Sequence, residues 1–342
     1  MQADGFNPIW KILEDSQVEG SDSGVVVRRL SPDIPHDIFL GVEKPANKRM
    51  LIFRTQKKYA AEFQTLPSFK GFDISKIHFP EDHEQFQTYG LILKDSVFKD
   101  IFTTLALDIV NYASSEKNEQ IFLQKIRLRL ESWQHFLDQY GLQGLSAEAQ
   151  RGLYGELRFL RDFLIPIAGP LKAIESWKGP FRSYQDFQIS GIAIEVKTSI
   201  AKQHQKIKIT SEQQLDISGL KALYLFHLSI RDINDGGITL PFIIDELRQI
   251  IYSQCGPVSE FENHLFRAGY LEDHREKYMS MGYVDRSVNI FNVRDSFPRI
   301  IEKDLKNGIG DVSYTIDVSA CSSFRENEEK CRSELGRIFN DQ

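Results

Sequence analysis

Apolar and polar positions alternate most clearly between Phe187 and Lys197: Phe187 and Ile189 precede the pair Ser190-Gly191, and Ile192, Ile194 and Val196 follow it. A period of two on both sides of a two-residue turn signal predicts a β-hairpin. Its register sets Ile189 opposite Ile192, Gln188 opposite Ala193, Phe187 opposite Ile194 and Asp186 opposite Glu195. Upstream, Ala149, Leu153, Leu157, Leu160 and Leu164 recur at helical spacing, which predicts a helix from an N-cap at Ser146 to about Leu164. Downstream, Lys206–Thr210 reads as a strand and Ser211–Leu215 as the opening of a helix, with Ser211 and Gln214 as its capping box. The apolar run Ala222–Ser229 reads as a buried strand.

On either side of this core the pattern changes. Short β-like runs at Val25–Arg29, Ile38–Val42, Met50–Arg54 and Tyr89–Leu93, then a helix over Val97–Tyr112, suggest a small α+β N-terminal domain, residues 1–115. A polar break leads into a helix from Gln120 to Tyr140, expected to bridge domains within residues 116–145. After the core, residues 146–235, the chain has helical patterns near Ile243–Tyr252 and Ser259–Ala268. Strand-like runs follow at Ser287–Val293 and Tyr314–Val318, then a charged tail after Phe324. Residues 236–342 are thus expected to form a helical and β extension on the core sheet.

The hairpin carries the chemistry. Opposed carboxylates at Asp186 and Glu195 repel unless a cation lies between them. Mg²⁺ prefers oxygen ligands, typically one or two carboxylates with water and phosphate oxygens, so this pair with the Val196 carbonyl would supply the protein's share, and Mn²⁺ would substitute. The same alternation puts Ala193, Glu195 and Lys197 on one face of the strand, read as the reacting face, and Ile192, Ile194 and Val196 on the packing face. Lys197 is placed to orient a water or offset developing negative charge. On the preceding helix, Glu156 lies at the edge of the buried stripe and needs a partner, while Gly152 and Gly155 would permit close approach to a sheet.

Composition narrows the alternatives. In 342 residues, 41% hydrophobic content is ample for sizeable cores, no run of 18 apolar residues exists, and the N-terminus lacks a signal-peptide pattern; a cytoplasmic protein without a membrane partner is expected. The net charge of −6 does not itself point to nucleic acid; two local basic clusters could hold phosphates, the alternative for each being a solvated loop or strand face. Lys44–Lys58 holds six basic residues and no acid, among them Lys48, Arg49, Lys57 and Lys58. Lys202, Lys206 and Lys208 follow the hairpin directly. The three cysteines lack CxxC spacing, the histidines show no HxH or HExxH pattern, and neither GxxxxGK[ST] nor a strand-linked GxGxxG occurs. Zinc hydrolysis and nucleotide-driven activity are thereby disfavoured.

The spacing Asp186-x8-Glu195-x-Lys197 resembles the signature of PD-(D/E)XK phosphodiesterases, with Gln185 at the nominal proline position and Glu156 matching the helix glutamate. The joint pattern Gly152-Leu153-Tyr154-Gly155-Glu156-Leu157, Glu175-Ser176-Trp177-Lys178-Gly179-Pro180, Asp186-Phe187 and Ile194-Glu195-Val196-Lys197-Thr198 is similar to a family of such proteins from bacterial restriction and phage-defence clusters. The resemblance implies an α/β, restriction-endonuclease-like αβββαβ core, Mg²⁺-dependent DNA cleavage and defence against foreign DNA. Glu156 would support a second metal or a metal-bound water. Gln213 or Gln214 is the accessory glutamine such enzymes carry, and Thr198 is a candidate phosphate contact. Double-strand cleavage calls for two sites, hence a homodimer or partner nuclease, and helicase- or ATPase-like defence proteins are candidate partners. The rival expectation is a catalytically silent DNA-binding or scaffolding subunit.

Overall fold

A computed structural model of the chain describes residues 5–18, 23–59, 69–78, 82 and 85–340; the first four residues of the N-terminal stretch lie outside these. Two compact units, Met1–Leu142 and Gln143–Gln342, divide the chain. In the first, α1 (Asn7–Asp15) precedes strands β1 (Gly24–Arg29), β2 (Asp37–Lys44), β3 (Lys48–Gln56), β4 (Phe72–Ile77) and β5 (Phe86–Leu93). They form one antiparallel sheet in the order β1-β2-β3-β5-β4, followed by α2 (Lys99–Ala113) and α3 (Glu119–Tyr140). Asn118 caps α3 by accepting a hydrogen bond from the Ile121 N–H at 3.1 Å. Arg129 donates twice to Asp108 of α2, at 2.6 and 2.7 Å, and the Trp133 indole N–H donates to the same carboxylate at 2.7 Å. The helix expected as a bridge therefore packs inside the first unit, with Phe122, Ile126, Leu130 and Trp133 buried.

The second unit opens with α4 (Ala147–Phe159), where the Ser146 hydroxyl accepts from the Ala149 N–H at 3.2 Å. A single π turn, Leu160–Leu164, leads into α5 (Ile165–Ser176). The hairpin β6 (Phe187–Ile189) and β7 (Ile192–Ser199) has the register read from the sequence over its three pairs, and Ser190 and Gly191 both take positive φ, 47° and 90°, as a type I′ turn requires. Then come β8 (Lys206–Ile209), β9 (Ala222–Asn234), β10 (Ile238–Thr239), α6 (Leu240–Ser253), α7 (Val258–Arg267), α8 (Arg275–Met279), β11 (Met281–Asn292), β12 (Tyr314–Asp317), β13 (Arg325–Glu326) and α9 (Glu328–Asn340). The main sheet has the order β10-β11-β9-β7-β6, with β13 on β11 and a parallel β7–β9 pair.

Helix α4 lies on the face of β7 that carries Val196 and Thr198. A Cβ on Gly155 would overlap the Thr198 methyl, so glycine is what permits the close approach; Gly152 faces open space, and the same expectation does not hold there. Phe159, Phe163, Phe187 and Phe226 fill this layer, with ring centroids 4.9–5.3 Å apart where they meet.

Three expectations need correction. Ser211–Gln214 forms turns rather than a helix, so the αβββαβ pattern lacks its second helix. The Gln214 side chain bonds backwards instead, its Oε1 accepting from the Thr210 N–H at 2.8 Å and hydroxyl at 3.2 Å. Strand β8 leaves the main sheet and pairs with β12, from Ile209↔Tyr314 to Lys206↔Asp317, forming a ribbon over the second face of β7. Ala193, Ile207, Ile209, Leu225 and Ile316 share one core there, so both faces of β7 are covered and the face read as reacting is not open to solvent. Lastly, residues 236–342 are not a layer set upon a finished sheet: β11 pairs with β9 from Met281↔Asn234 to Asn292↔Tyr224 and is integral to it. The charged tail contains α9.

Candidate active site

Hairpin geometry brings the carboxylates together. Asp186 sits one residue before β6, where its carbonyl accepts from the Lys178 and Gly179 N–H groups at 2.7 and 2.9 Å. Its side chain reaches across the hairpin, and Oδ2 accepts from the Val196 N–H at 2.7 Å. That amide is the one joining Glu195 to Val196, so the Asp186 carboxylate lies at the backbone step between Glu195 and Lys197. Glu195 is 1% exposed, and the Lys197 ammonium stands 2.6 Å from its Oε1. The contact is a close, buried ion pair. Lys197 also reaches Gln214 Oε1 at 3.4 Å.

Glu156 joins the group from α4. Its Oε2 accepts from the Trp177 indole N–H at 2.6 Å, the partner that its half-buried position demanded. The point where a Cβ on Gly179 would lie is 2.7 Å from Glu156 Oε2 and 3.0 Å from Asp186 Oδ1, so both acids border one small gap. The sequence reading gave Trp177 no role as a polar partner and Gly179 no role beyond its place in the pattern. Both stand in the Glu175–Pro180 segment of the resemblance, and a tryptophan close to a buried-edge glutamate was the available signal.

Three acids and one ammonium share this space, with Glu195 buried and Glu156, Asp186 and Lys197 half-buried. Burial, then the Asp186 charge, pushes Glu195 up to about 8, against the pull of Lys197. Burial and the Asp186 charge also hold Glu156 well above the carboxylate range, although the Trp177 N–H opposes them. Burial raises Asp186, with Lys197 and the Val196 N–H acting in the other direction. For Lys197 burial acts downward, but the charges of Glu195, Asp186 and Glu156 outweigh it and the ammonium is held above its usual range. Three acids against one ammonium leave an excess of negative charge that a hard cation would relieve. Among the described residues no three His, Cys, Asp or Glu side chains form a metal cage. Two carboxylates completed by backbone, water and substrate oxygens match the habit of Mg²⁺ instead.

A pH dependence follows. Glu195 ionises less readily in the folded chain than at its ordinary 4.5, so the stability contributed by its protonated form is fully present below that value and is lost as pH rises through about 8. Metal-free Glu195→Gln is expected to melt several degrees above metal-free wild type at about pH 9 and close to it at about pH 5. Equal melting at both pH values would show that the carboxylate ionises without penalty.

The family model described as "Putative PD-(D/E)XK family member" (DUF4420) matches residues 6–319. The chain belongs to this family. Proteins of the PD-(D/E)XK superfamily are mostly nucleases and typically use divalent metals. No curated protein and no solved structure matches the chain. No helix among the described residues is long and apolar enough to cross a membrane.

The remaining sequence candidates separate. Thr198 packs beneath Gly155, on the face opposite Lys197. Gln213 contributes its carbonyl, which accepts from Gln185 Nε2 at 2.9 Å, while Gln214 offers its side chain to the site. Arg49 is 7% exposed and bound to Glu14 at 2.8 Å and Thr103 at 2.6 Å, which removes it from the candidate phosphate contacts. Lys48 pairs with Glu43 at 3.3 Å, and the exposed Lys58 lies over the Tyr59 ring; Lys57 is exposed. Lys202, Lys206 and Lys208 are exposed on and before β8.

Gly179→Ala tests the shared gap. The added methyl must displace two carboxylates at the ends of flexible side chains, which costs little stability but shifts the site by a fraction of an ångström or more. On the nuclease reading proposed below, metal-dependent cleavage is expected to fall about 10- to 100-fold with little change in melting temperature. Unchanged activity would mean that the positions of Glu156 and Asp186 do not matter to the reaction.

Proposed function

We propose that the chain is a metal-dependent DNA endonuclease acting in restriction or defence against foreign DNA. The observation that carries the reading is the juxtaposition, within a PD-(D/E)XK family member, of Asp186, Lys197 and a buried Glu195 whose Oε1 lies 2.6 Å from the Lys197 ammonium. The defence role rests on the sequence resemblance.

Asp186, Glu195 and the Val196 carbonyl would hold Mg²⁺ or Mn²⁺, with Glu156 as a further ligand or as the holder of a bound water. When bound, such an ion polarises a phosphoryl oxygen and lowers the pKa of its water. Lys197, anchored by Glu195 and Gln214, orients the attacking water and offsets charge that develops on the phosphoryl oxygens. Trp177 fixes Glu156 through its N–H, and the Val196 N–H fixes Asp186, so both acids are oriented before substrate arrives. Lys202, Lys206, Lys208, Lys57 and Lys58 are the proposed phosphate contacts; homodimers and helicase- or ATPase-like partners belong to the same reading.

The test is cleavage of supercoiled plasmid and of single-stranded DNA by the purified chain in Mg²⁺, in Mn²⁺ and in chelator. Metal-dependent nicking or linearisation supports the reading. DNA binding without cleavage under every condition would favour a silent binding subunit.

A further inference from the structure

We infer that a second pocket, at the start of β8, binds a phosphate of the nucleic-acid strand whose scissile phosphate lies at the carboxylates. The pocket has a volume of about 350 Å³ and is lined in part by Lys202, His204, Asn289, Asp317, Ser319 and Arg325. The side chains of Lys202 and Arg325 have no hydrogen bond or ion pair among the described residues, so two cations face this hollow uncompensated. Asp317 is the acid of the lining, and its charge is engaged. It accepts from the Ser319 N–H at 3.0 Å and hydroxyl at 2.7 Å, and Lys206 is its register partner across the ribbon.

Position in the fold connects this pocket to the carboxylates. The ribbon strand β8 begins at the pocket, after Gln205, and ends before Thr210, whose N–H and hydroxyl bond the same Gln214 oxygen that Lys197 approaches. Between them Ile207 and Ile209 point into the core, while Lys206 and Lys208 are exposed on the outer side. Five residue steps of extended chain span roughly 16 Å. Phosphates recur about every 3.4 Å of axis along one strand of a duplex, so a segment of roughly five nucleotides would reach from pocket to carboxylates over the two lysines. The inference rests on the proposed nuclease reading for the strand as the source of the phosphate. The pocket chemistry alone would also accept a free nucleotide.

The experiment is a metal-free binding titration in chelator, with a fluorescein-labelled single-stranded 15-mer and with dAMP as probes, at several salt concentrations. Wild type, the double variant Lys202→Ala/Arg325→Ala and Asp186→Asn are compared, with folding checked by thermal melting. Both replaced side chains are exposed, so the double variant is expected to melt with wild type. It is expected to bind the 15-mer at least about tenfold more weakly, with the slope of log K against log salt reduced by about 0.7, the value for one phosphate contact on a single strand. Asp186→Asn should retain the wild-type slope. Weakened binding of the 15-mer alone identifies the strand as the source, and weakened binding of dAMP as well admits a free nucleotide. Unchanged affinity and slope for both probes in the double variant, or no binding of either by wild type, overturns the inference. If wild type never cleaves DNA yet the double variant loses the slope, the hydrolytic reading fails and the pocket stands; the converse result separates them the other way.

Discussion

Asp186→Asn is expected to lose roughly a thousandfold or more of Mg²⁺-dependent DNA cleavage while keeping its fold. The substitution preserves size and retains an acceptor for the Val196 N–H, now 2.7 Å from Oδ2, so the hairpin has little reason to rearrange. It removes the one negative charge placed at the backbone step between Glu195 and Lys197, and with it one of two carboxylates proposed to hold the cation. Deleting a single preorganised electrostatic group typically costs 100- to 1,000-fold, and a group that also holds the metal belongs at or beyond the upper end. Metal-free stability should not fall, because burial disfavours the ionised acid. The measurement is initial cleavage rate at saturating Mg²⁺ beside a thermal melt. An Asp186→Asn chain within tenfold of wild type would remove Asp186 from the chemistry.

Lys197→Met is expected to cost about 100- to 1,000-fold in the same assay, with a different signature. Methionine keeps most of the stem volume but removes the ammonium that acts on Glu195, Asp186 and Glu156 together. All three carboxylates should then hold their protons to higher pH, so binding of a divalent ion, which requires them ionised, should move to higher pH as well. A residue that only packed the strand would lower activity without displacing that profile. Wild-type rates together with an unshifted metal-binding profile would show that Lys197 is a structural ion-pair partner.

Hairpin β6–β7 was legible because two independent local signals agree there: alternation of period two, and a turn pair tolerant of positive φ. Helix α4 was legible for the same kind of reason, a stripe with a serine cap. What the local pattern could not show is pairing between distant segments. Ile207 and Ile316 are joined by the β8–β12 ribbon, which packs on Ala193 of β7, and Glu195 on the same strand is buried. In an alternating strand a glutamate reads as solvent-facing. Arg49 misled in a similar way: its own segment contains no acid, but Glu14 arrives from α1, 35 residues away in the chain. The capping box at Ser211 was read in the wrong direction, since Gln214 bonds to Thr210 and holds a turn closed. Strand β4 and helix α1 were not assigned from the sequence, and the site does not involve them.

The central claim is that Asp186 and Glu195 form one site for a divalent cation, and Mn²⁺ binding followed by electron paramagnetic resonance tests it without reliance on turnover. Titrated near pH 8, wild type is expected to take up Mn²⁺ with a broadened bound signal, while Asp186→Asn and Glu195→Gln each bind at least about tenfold more weakly. Wild-type Mn²⁺ affinity in both variants would contradict the account.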